Sequence, residues 1–233
     1  MMADPLGLQR LYGEDYFKQY KAAEDTPQYR QRVEMYRQEY ARLSRHVSGG
    51  RVLDVGCGLG DFLQLFDPSR WERYGIEVSD HARGVAASRG VRCDVPPEPE
   101  EFFDLVVFRG TIQHLDEPVR AVKDAVRRLK PGGHIVFLAT PNIGGICYRL
   151  FQEHPALSPR YNYMLVSDRI LRQILENLGM EVVKFEFPYL GSPYARPGRD
   201  LWRFLLRCLG IRRPFAFWGN MLECYARKPT GMR

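Results

Sequence analysis

The chain has 233 residues, of which 45% are hydrophobic and 27% are charged. This length and balance predict one folded domain with a substantial core, and they exclude a disordered or fibrous chain. The first residues lack the basic start and apolar run of a secretory signal, and no stretch of sequence is apolar for long enough to cross a bilayer, so we expect a cytoplasmic location.

The positive charge is concentrated in one segment. The net charge is +6, and residues 188–233 contain nine Lys or Arg against only Asp200 and Glu223. A local excess of this kind predicts an anionic contact at one surface, whereas a uniformly basic chain would favour general nucleic-acid binding. The five cysteines are widely spread, with neither a Cys-x-x-Cys pair nor histidines at ligand spacing, so we expect no metal site and no disulfide framework.

Helical and strand patterns alternate along the chain. A helix-prone segment ends at Ser48-Gly49-Gly50, which predicts a helical cap over residues 1–48 and a main domain over residues 49–233. Apolar runs that predict strands lie at residues 51–55, 74–78, 103–108, 134–138, 181–187 and 222–227. Helical patterns occupy residues 79–89, 116–130 and 167–178. We therefore predict an α/β fold with a mainly parallel sheet and helices on both faces.

Glycines follow the first predicted strand. The segment Val52-Leu-Asp-Val-Gly-Cys-Gly-Leu-Gly60 has glycines where we expect the strand to turn into a helix, and glycine lets the backbone approach a ligand without a Cβ clash. Glu77 ends the second strand 19 residues after Gly58, where a carboxylate accepts hydrogen bonds from both hydroxyls of a ribose. This pairing predicts a nucleoside cofactor, although a tight turn and a solvated strand end fit the same residues.

The residue after the third glycine argues against a dinucleotide. The pattern Gly-x-Gly-x-x-Gly requires glycine at position 61, which is Asp61 here, and a carboxylate repels a pyrophosphate. A cofactor that carries an ammonium and a sulfonium group would instead be attracted by Asp54 and Asp61. A nicotinamide oxidoreductase is therefore disfavoured.

Four ordered segments carry a family resemblance. These are VLDVGCGLGD (52–61), YGIEVSD (74–80), FFDLVVFRGTIQHLDEP (102–118) and LKPGGHIVFLATPN (129–142). Together they resemble the motifs of class I S-adenosylmethionine-dependent methyltransferases over roughly residues 50–187. The resemblance implies a Rossmann-like sheet of seven strands, with an antiparallel last strand at 222–227. It also implies S-adenosylmethionine as the cofactor and S-adenosylhomocysteine as its product.

The resemblance also implies roles for individual residues. Gly56, Gly58 and Gly60 would pass under the methionine part of the cofactor. Asp54 would lie near its amino group, unless it only caps the turn, and Glu77 would hold the ribose. Asp94, or Cys93 in its place, would face the adenine. The remaining cofactor contacts that the resemblance implies are Cys57, Val78, Arg109 and Gly110.

His114 is the candidate catalytic base. The motif places it at the mouth of the site, and its near-neutral pKa range suits proton removal from a hydroxyl. The alternative is a loop histidine that is hydrogen-bonded to the backbone. Methyl transfer needs mainly alignment and a dry pocket, so a missing catalytic dyad is no objection.

A basic amphipathic insertion is expected over about residues 188–219. Arg196, Arg199, Arg203 and Arg207 recur along one helical stripe, opposite an apolar complement made of Leu201, Trp202, Leu205, Leu206 and Leu209. Three interpretations stay open: a lid that grips a phosphorylated acceptor, an amphipathic helix on an anionic membrane, and a packed helix with a solvated basic face. Tyr161 and Tyr163 are candidates for an aromatic wall of the acceptor pocket, or for packing.

The acceptor is open at this point. PYLGSPYARPGRD (188–200) and FWGNMLECYARKP (217–229) loosely resemble methyltransferases of bacterial polysaccharide and glycolipid assembly, which implies O-methylation of a small molecule, a sugar or a glycoconjugate. A nucleic-acid methyltransferase is the second hypothesis, although RGTIQH lacks the Asn/Asp-Pro-Pro-aromatic motif and no Pro-Cys nucleophile is present. A non-catalytic S-adenosylmethionine-binding regulatory module is the third.

Overall fold

A six-stranded mixed sheet forms the centre of the protein. The computed structural model describes residues 26–94, 100–154, 156–157, 162–213 and 219–231. The strands are β1 (Gly50–Val55), β2 (Trp71–Ile76), β3 (Phe103–Arg109), β4 (Leu129–Pro141), β5 (Glu181–Glu186) and β6 (Met221–Arg227). Their order is β2-β1-β3-β4-β6-β5. The first four strands are parallel, and β6 runs antiparallel to both of its neighbours. The predicted α/β fold and its antiparallel last strand are confirmed.

Within the described residues, the sheet has one strand fewer than the seven that the family resemblance implies. Beyond β2, the described part of the chain pairs only through an isolated parallel bridge between Tyr74 and Arg92. The sequence that follows, residues 94–101, contains three prolines. Proline has no N–H to donate to a strand ladder, so the sequence at this edge is unsuited to a longer strand.

Six α-helices accompany the sheet in the described residues. They are α1 (Pro27–Leu43), α2 (Asp80–Ser88), α3 (Pro118–Arg128), α4 (Ile146–Phe151), α5 (Asp168–Asn177) and α6 (Pro197–Cys208). The Ser79 and Ser167 hydroxyls cap α2 and α5 by accepting hydrogen bonds from backbone N–H groups of their first turns. None of these described helices is long and apolar enough to cross a membrane.

Apolar clusters cover both faces of the sheet. Along β3, Leu105 and Val107 belong to one cluster, whereas Val106 and Phe108 belong to the other. This alternation follows from the two-residue repeat of a strand, because successive side chains point to opposite faces. The predicted arrangement of helices on both faces of a buried sheet is therefore confirmed.

The turn after β1 differs from the prediction. An α-helix is expected after Gly60, but only a three-residue 3-10 helix, Leu63–Leu65, follows. Pro68 comes soon after, and the residue before a proline is disfavoured in helical backbone. β2 then begins at Trp71, and no α-helix forms between Gly60 and this strand.

Two ion pairs join the cap helix α1 to the sheet. In one of them α1 supplies the carboxylate, and in the other it supplies the guanidinium group. Glu39 of α1 accepts hydrogen bonds from Arg109 Nε and Nη2 at 2.6 and 3.2 Å. Arg42 of α1 donates from Nε to Glu223 Oε2 of β6 at 2.9 Å, and its Nη2 contacts the other carboxylate oxygen. Both carboxylates are fully buried. These pairs fix α1 against two strands, while the division of the chain at residue 48 stays a prediction.

We expect Arg42→Met to lower the free energy of unfolding by about 3–5 kcal/mol, because the buried Glu223 carboxylate loses its cationic partner. After that change, the Tyr225 hydroxyl, 2.7 Å away, would still donate to Glu223. The matched control is Arg37→Met on the same helix, an exposed residue 3.7 Å from Glu34, with an expected change of about 0.5 kcal/mol or less. Urea unfolding measures both, and equal effects of the two variants would contradict the role of this pair.

Candidate functional site

A cavity of about 390 Å³ opens beside the carboxyl ends of β1 and β3. In this strand order β1 lies between β2 and β3, so the sheet extends from β1 first in one direction and then in the other. Ligands of open α/β sheets bind at such a switch point. The lining residues that the sequence predicts are Asp54, Gly56, Cys57, Gly58, Glu77, Val78, Arg109, Gly110 and His114. The other lining residues are Tyr36, Val55, Leu59, Asp61, Phe62, Ile76, Thr111 and Leu115.

The glycine loop forms a cradle that side chains would fill. Gly56 has φ +80°, and a Cβ built on it would lie 2.6 Å from Thr111 Cγ2. Gly58 donates its N–H to Glu77 Oε2 at 2.9 Å, and Glu77 Oε1 accepts from Ser79 N at 2.9 Å. The Glu77 carboxylate is thereby fixed at the cavity wall. It keeps acceptor capacity, because a carboxylate offers about four lone-pair sites.

Gly60 and Asp94 do not line the cavity. Gly60 packs on α2, since a Cβ at this position would lie 3.3 Å from both Ala86 and Val91. Asp94 is exposed and directly precedes the residues that the structure leaves undescribed. Of the cofactor contacts predicted from the sequence, these two are not brought together with the others.

Asp54 is a buried carboxylate with an unpartnered oxygen. The residue is 2% exposed, and its Oδ1 has no hydrogen-bond partner. Burial raises the pKa of Asp54 to about 7, against the opposing effect of the Arg109 guanidinium. A buried carboxylate without a partner is unfavourable, and a cationic group of a ligand would stabilise it.

The cap helix contributes directly to the cavity. The Arg109 guanidinium lies 4.0 Å from the Tyr36 ring centroid and is held by Glu39, so α1 covers the residue that ends β3. Burial raises the pKa of Tyr36 to about 12. Neither Tyr36 nor Glu39 is among the site residues predicted from the sequence. A signal was present, because Tyr36, Glu39 and Leu43 recur at helical spacing on one face.

Two further side-chain contacts, those of Asp61 and Cys57, secure the glycine loop. Asp61 Oδ1 pairs with Arg89 Nη1 at 2.5 Å, and the same nitrogen donates to Leu59 O at 2.9 Å. The Asp61 charge, expected to attract a cationic cofactor, is therefore matched by an arginine of this chain. The Cys57 side chain packs on Gly75, where a Cβ would lie 2.5 Å from its sulfur, and burial raises the pKa of its thiol. Cys57 is thus a packing residue of the loop and not a nucleophile.

His114 ends a short 3-10 helix at the cavity wall. Its Nε2 lies 3.1 Å from Gln113 Nε2, which also donates to Gly110 O at 3.0 Å. Because an amide nitrogen can only donate, we assign the acceptor role to His114 Nε2 and the ring hydrogen to Nδ1. Gln113 O accepts the N–H of Tyr163 at 2.8 Å, which puts that residue beside the cavity.

The remaining acceptor candidates lie elsewhere. The Tyr163 side chain is 58% exposed and is not part of the cavity lining, and Tyr161 lies outside the described residues. Arg196 donates to Ala195 O at 2.7 Å, and Arg199 lies 3.8 Å from the buried Asp200. Like Arg203, both arginines belong to the α6 segment and do not line the cavity.

The fold and the cavity define a Rossmann-like protein that binds a nucleoside cofactor carrying positive charge. Residues 28–184 match the family model described as a methyltransferase domain, which covers more than half of the chain. The protein therefore belongs to the methyltransferase-domain family and is an S-adenosylmethionine-dependent methyltransferase. Among the described residues, no group of three or more His, Cys, Asp or Glu is placed to hold a metal ion.

The chain is similar to several known proteins. An uncharacterised protein of Methanocaldococcus jannaschii is 26% identical over 159 residues, which are 64% of this chain and 74% of that protein. A ubiquinone biosynthesis O-methyltransferase of Alkalilimnicola ehrlichii is 31% identical over 103 residues, and the match spans 39% of this chain and 42% of the relative. The crystal structure of an S-adenosylmethionine-dependent methyltransferase from Thermotoga maritima has a TM-score of 0.61 at 21% identity, covering 93% of this chain and 98% of that one, and it supports the fold.

We expect Gly56→Ala to weaken S-adenosylmethionine binding by about tenfold or more, because positive φ and the Thr111 contact both oppose a Cβ. The matched control is Gly84→Ala in α2, where a Cβ would meet nothing within 4 Å, and it should bind as the parent does. Titration calorimetry measures both affinities, with circular dichroism to confirm folding. Full affinity in a folded Gly56→Ala variant would contradict the cradle.

Proposed function

We propose that this enzyme transfers the methyl group of S-adenosylmethionine to a hydroxyl oxygen of a small-molecule, sugar or glycoconjugate acceptor in the cytoplasm. The observation that carries the proposal is the single cavity that joins Asp54, the glycine loop and Glu77 to His114. The O-methyltransferase named among the relatives supports a hydroxyl acceptor.

The residues around the glycine loop would hold the cofactor. Glu77, oriented by two backbone N–H groups, has lone pairs left for the ribose hydroxyls. Asp54 supplies a negative charge for the amino group, and its unpartnered oxygen fits that role. Ile76 and Val78, 38% and 43% exposed at the wall, offer an apolar surface for the adenine. When bound, the cofactor supplies a methyl group already activated by the sulfonium charge.

His114 would take the proton of the acceptor hydroxyl. Its basic nitrogen, Nε2, is engaged by Gln113, so an acceptor hydroxyl would replace that hydrogen bond at Nε2. Gln113 is buried and tied to Gly110, which keeps the ring orientation stable. The chain thereby provides a proton acceptor at the wall of the cavity.

The acceptor would extend beyond the cavity. Tyr163 lies beside the 3-10 helix and is exposed, so it would contact an acceptor at the mouth. Arg196, Arg199 and Arg203, in the basic α6 segment, would bind a phosphate or another anionic part of a glycoconjugate. Peripheral contact with a membrane is part of this proposal, since such an acceptor would be presented there.

Asp54 predicts proton release on cofactor binding. The pKa of about 7 in the folded chain exceeds that of a free carboxyl, so without ligand Asp54 lowers folding stability as pH rises from about 4 to about 7. A cationic ligand favours the carboxylate, and affinity should therefore rise between about pH 6 and pH 8.

Calorimetry in buffers with different ionisation enthalpies measures the number of protons released when the cofactor binds. Asp54→Asn should abolish the release and weaken binding, whereas the control Asp80→Asn, an exposed residue of α2, should keep both. Proton release that persists in Asp54→Asn would assign the titration to another group.

We expect His114→Ala to lower turnover by about 10²–10⁴-fold, because the hydroxyl loses its base. Cofactor affinity should stay within about twofold. The control is His81→Ala in α2, a histidine outside the cavity lining. Unchanged turnover at every pH would remove His114 from the mechanism.

The acceptor class is tested with methyl-labelled S-adenosylmethionine and a lysate of the source organism. Label in the lipid, polysaccharide or small-molecule fraction supports the proposal. Label only in a non-glycosylated metabolite would exclude a sugar or glycoconjugate as the acceptor. Label in nucleic acid would establish the rival function instead. No label anywhere, with cofactor binding confirmed by calorimetry, would favour a non-catalytic module.

A further inference from the structure

Helix α6 turns its apolar residues towards solvent. The residues in question are Leu201, Trp202, Leu205 and Leu209, which are between 47% and 77% exposed. The side of α6 that packs on the protein instead carries Asp200, which is fully buried and accepts a hydrogen bond from the Tyr189 hydroxyl at 2.7 Å. The apolar complement that the sequence predicts for α6 is therefore present but faces outward.

Helix α4, which packs against α6, carries two further exposed apolar residues. Ile146 and Leu150, one turn apart on α4, are 51% and 57% exposed. The two helices are in contact through the Phe151 and Phe204 rings, whose centroids are 5.7 Å apart. We name these six exposed apolar residues, five on α4 and α6 and Leu209 directly after α6, the α4–α6 face. Apolar residues scattered singly over a surface are ordinary, but six at two adjoining helices mark an interaction site.

The charge around the α4–α6 face is positive. The two helices with their flanking residues, 146–153 and 188–213, contain seven arginines and only two acids. One acid, Asp200, is buried, and the other, Glu153, pairs with Arg207 at 2.8 Å. The charge that this surface presents to solvent is therefore mainly that of guanidinium groups.

We propose that the α4–α6 face docks onto an anionic lipid bilayer, with its apolar side chains among the acyl chains and its arginines at the headgroups. Leucine and tryptophan beside a cationic border are typical of helices that lie in a membrane interface, and anionic lipids complement the arginines. A second copy of the chain fits less well, because it would set the same arginines against one another.

Helix α4 follows the carboxyl end of β4, at the same end of the parallel strands as the cavity. Leu138 of β4 pairs with Arg109, which lines the cavity, and β4 ends at Pro141, shortly before α4 begins at Ile146. Docking would hold the cavity near the bilayer, where an acceptor with a lipid part reaches it. This last step rests on the proposed function, whereas the docking does not.

Vesicle co-sedimentation of the full chain tests the docking. We expect binding to vesicles of phosphatidylglycerol and phosphatidylcholine, little binding to phosphatidylcholine alone, and weaker binding as salt is added. Trp202→Ser/Leu205→Ser should bind about tenfold or more weakly, because two exposed apolar groups are lost. The matched control is Val119→Ser/Val183→Ser, 49% and 46% exposed on α3 and β5, and it should bind as the parent does.

Absence of binding to the anionic vesicles, or equal binding by the two double variants, would overturn the proposal. A concentration-dependent dimer that Trp202→Ser/Leu205→Ser dissociates would also overturn it, by assigning the face to a second copy. Cofactor affinity, measured in the same variants, should be unchanged. Vesicle binding together with label confined to nucleic acid would overturn the proposed acceptor and leave the docking surface standing.

Discussion

The Arg109 guanidinium is the charge on which both the cavity and the cap depend. It is held by the buried Glu39 carboxylate of α1, and it opposes the effect of burial on the pKa of Asp54. Without it, the buried carboxylates of Glu39 and Asp54, which repel each other, would lose the cation that offsets them. Since an unpaired buried charge costs several kcal/mol, the position of α1 and the ionisation of Asp54 are coupled through one side chain.

The glycine loop is held in place by side chains because no regular helix follows it. Glu77 holds the backbone of Gly58, and the ion pair between Asp61 and Arg89 fastens the far end of the loop to α2. Binding therefore orders little backbone, which spares the entropy that a flexible loop would lose. The loop is shaped for its ligand before the ligand arrives.

The predictable features of this site are local, and the unpredicted ones are long-range. Glu77 stands at a fixed spacing from the glycines, so a short motif is enough to suggest its role. Glu39 and Arg89 contact the site through tertiary packing. The helical spacing of Glu39 indicates a packed face, but it does not give the partner of that face. The pattern of α6 predicts an amphipathic helix, but the side that packs is decided by the buried hydrogen bond between Tyr189 and Asp200. A seventh strand is implied by resemblance alone, and the prolines of this particular chain are unfavourable to it.

The ion pair between α1 and β6 also constrains the order of folding steps during synthesis on the ribosome. Arg42 and Glu223 are 181 positions apart, whereas Glu39 and Arg109 are 70 apart. During synthesis, the cap helix can meet the end of β3 once that strand has emerged, but its second attachment waits for the last strand of the sheet. A nascent chain therefore carries an incompletely fastened cofactor cavity until β6 has been synthesised.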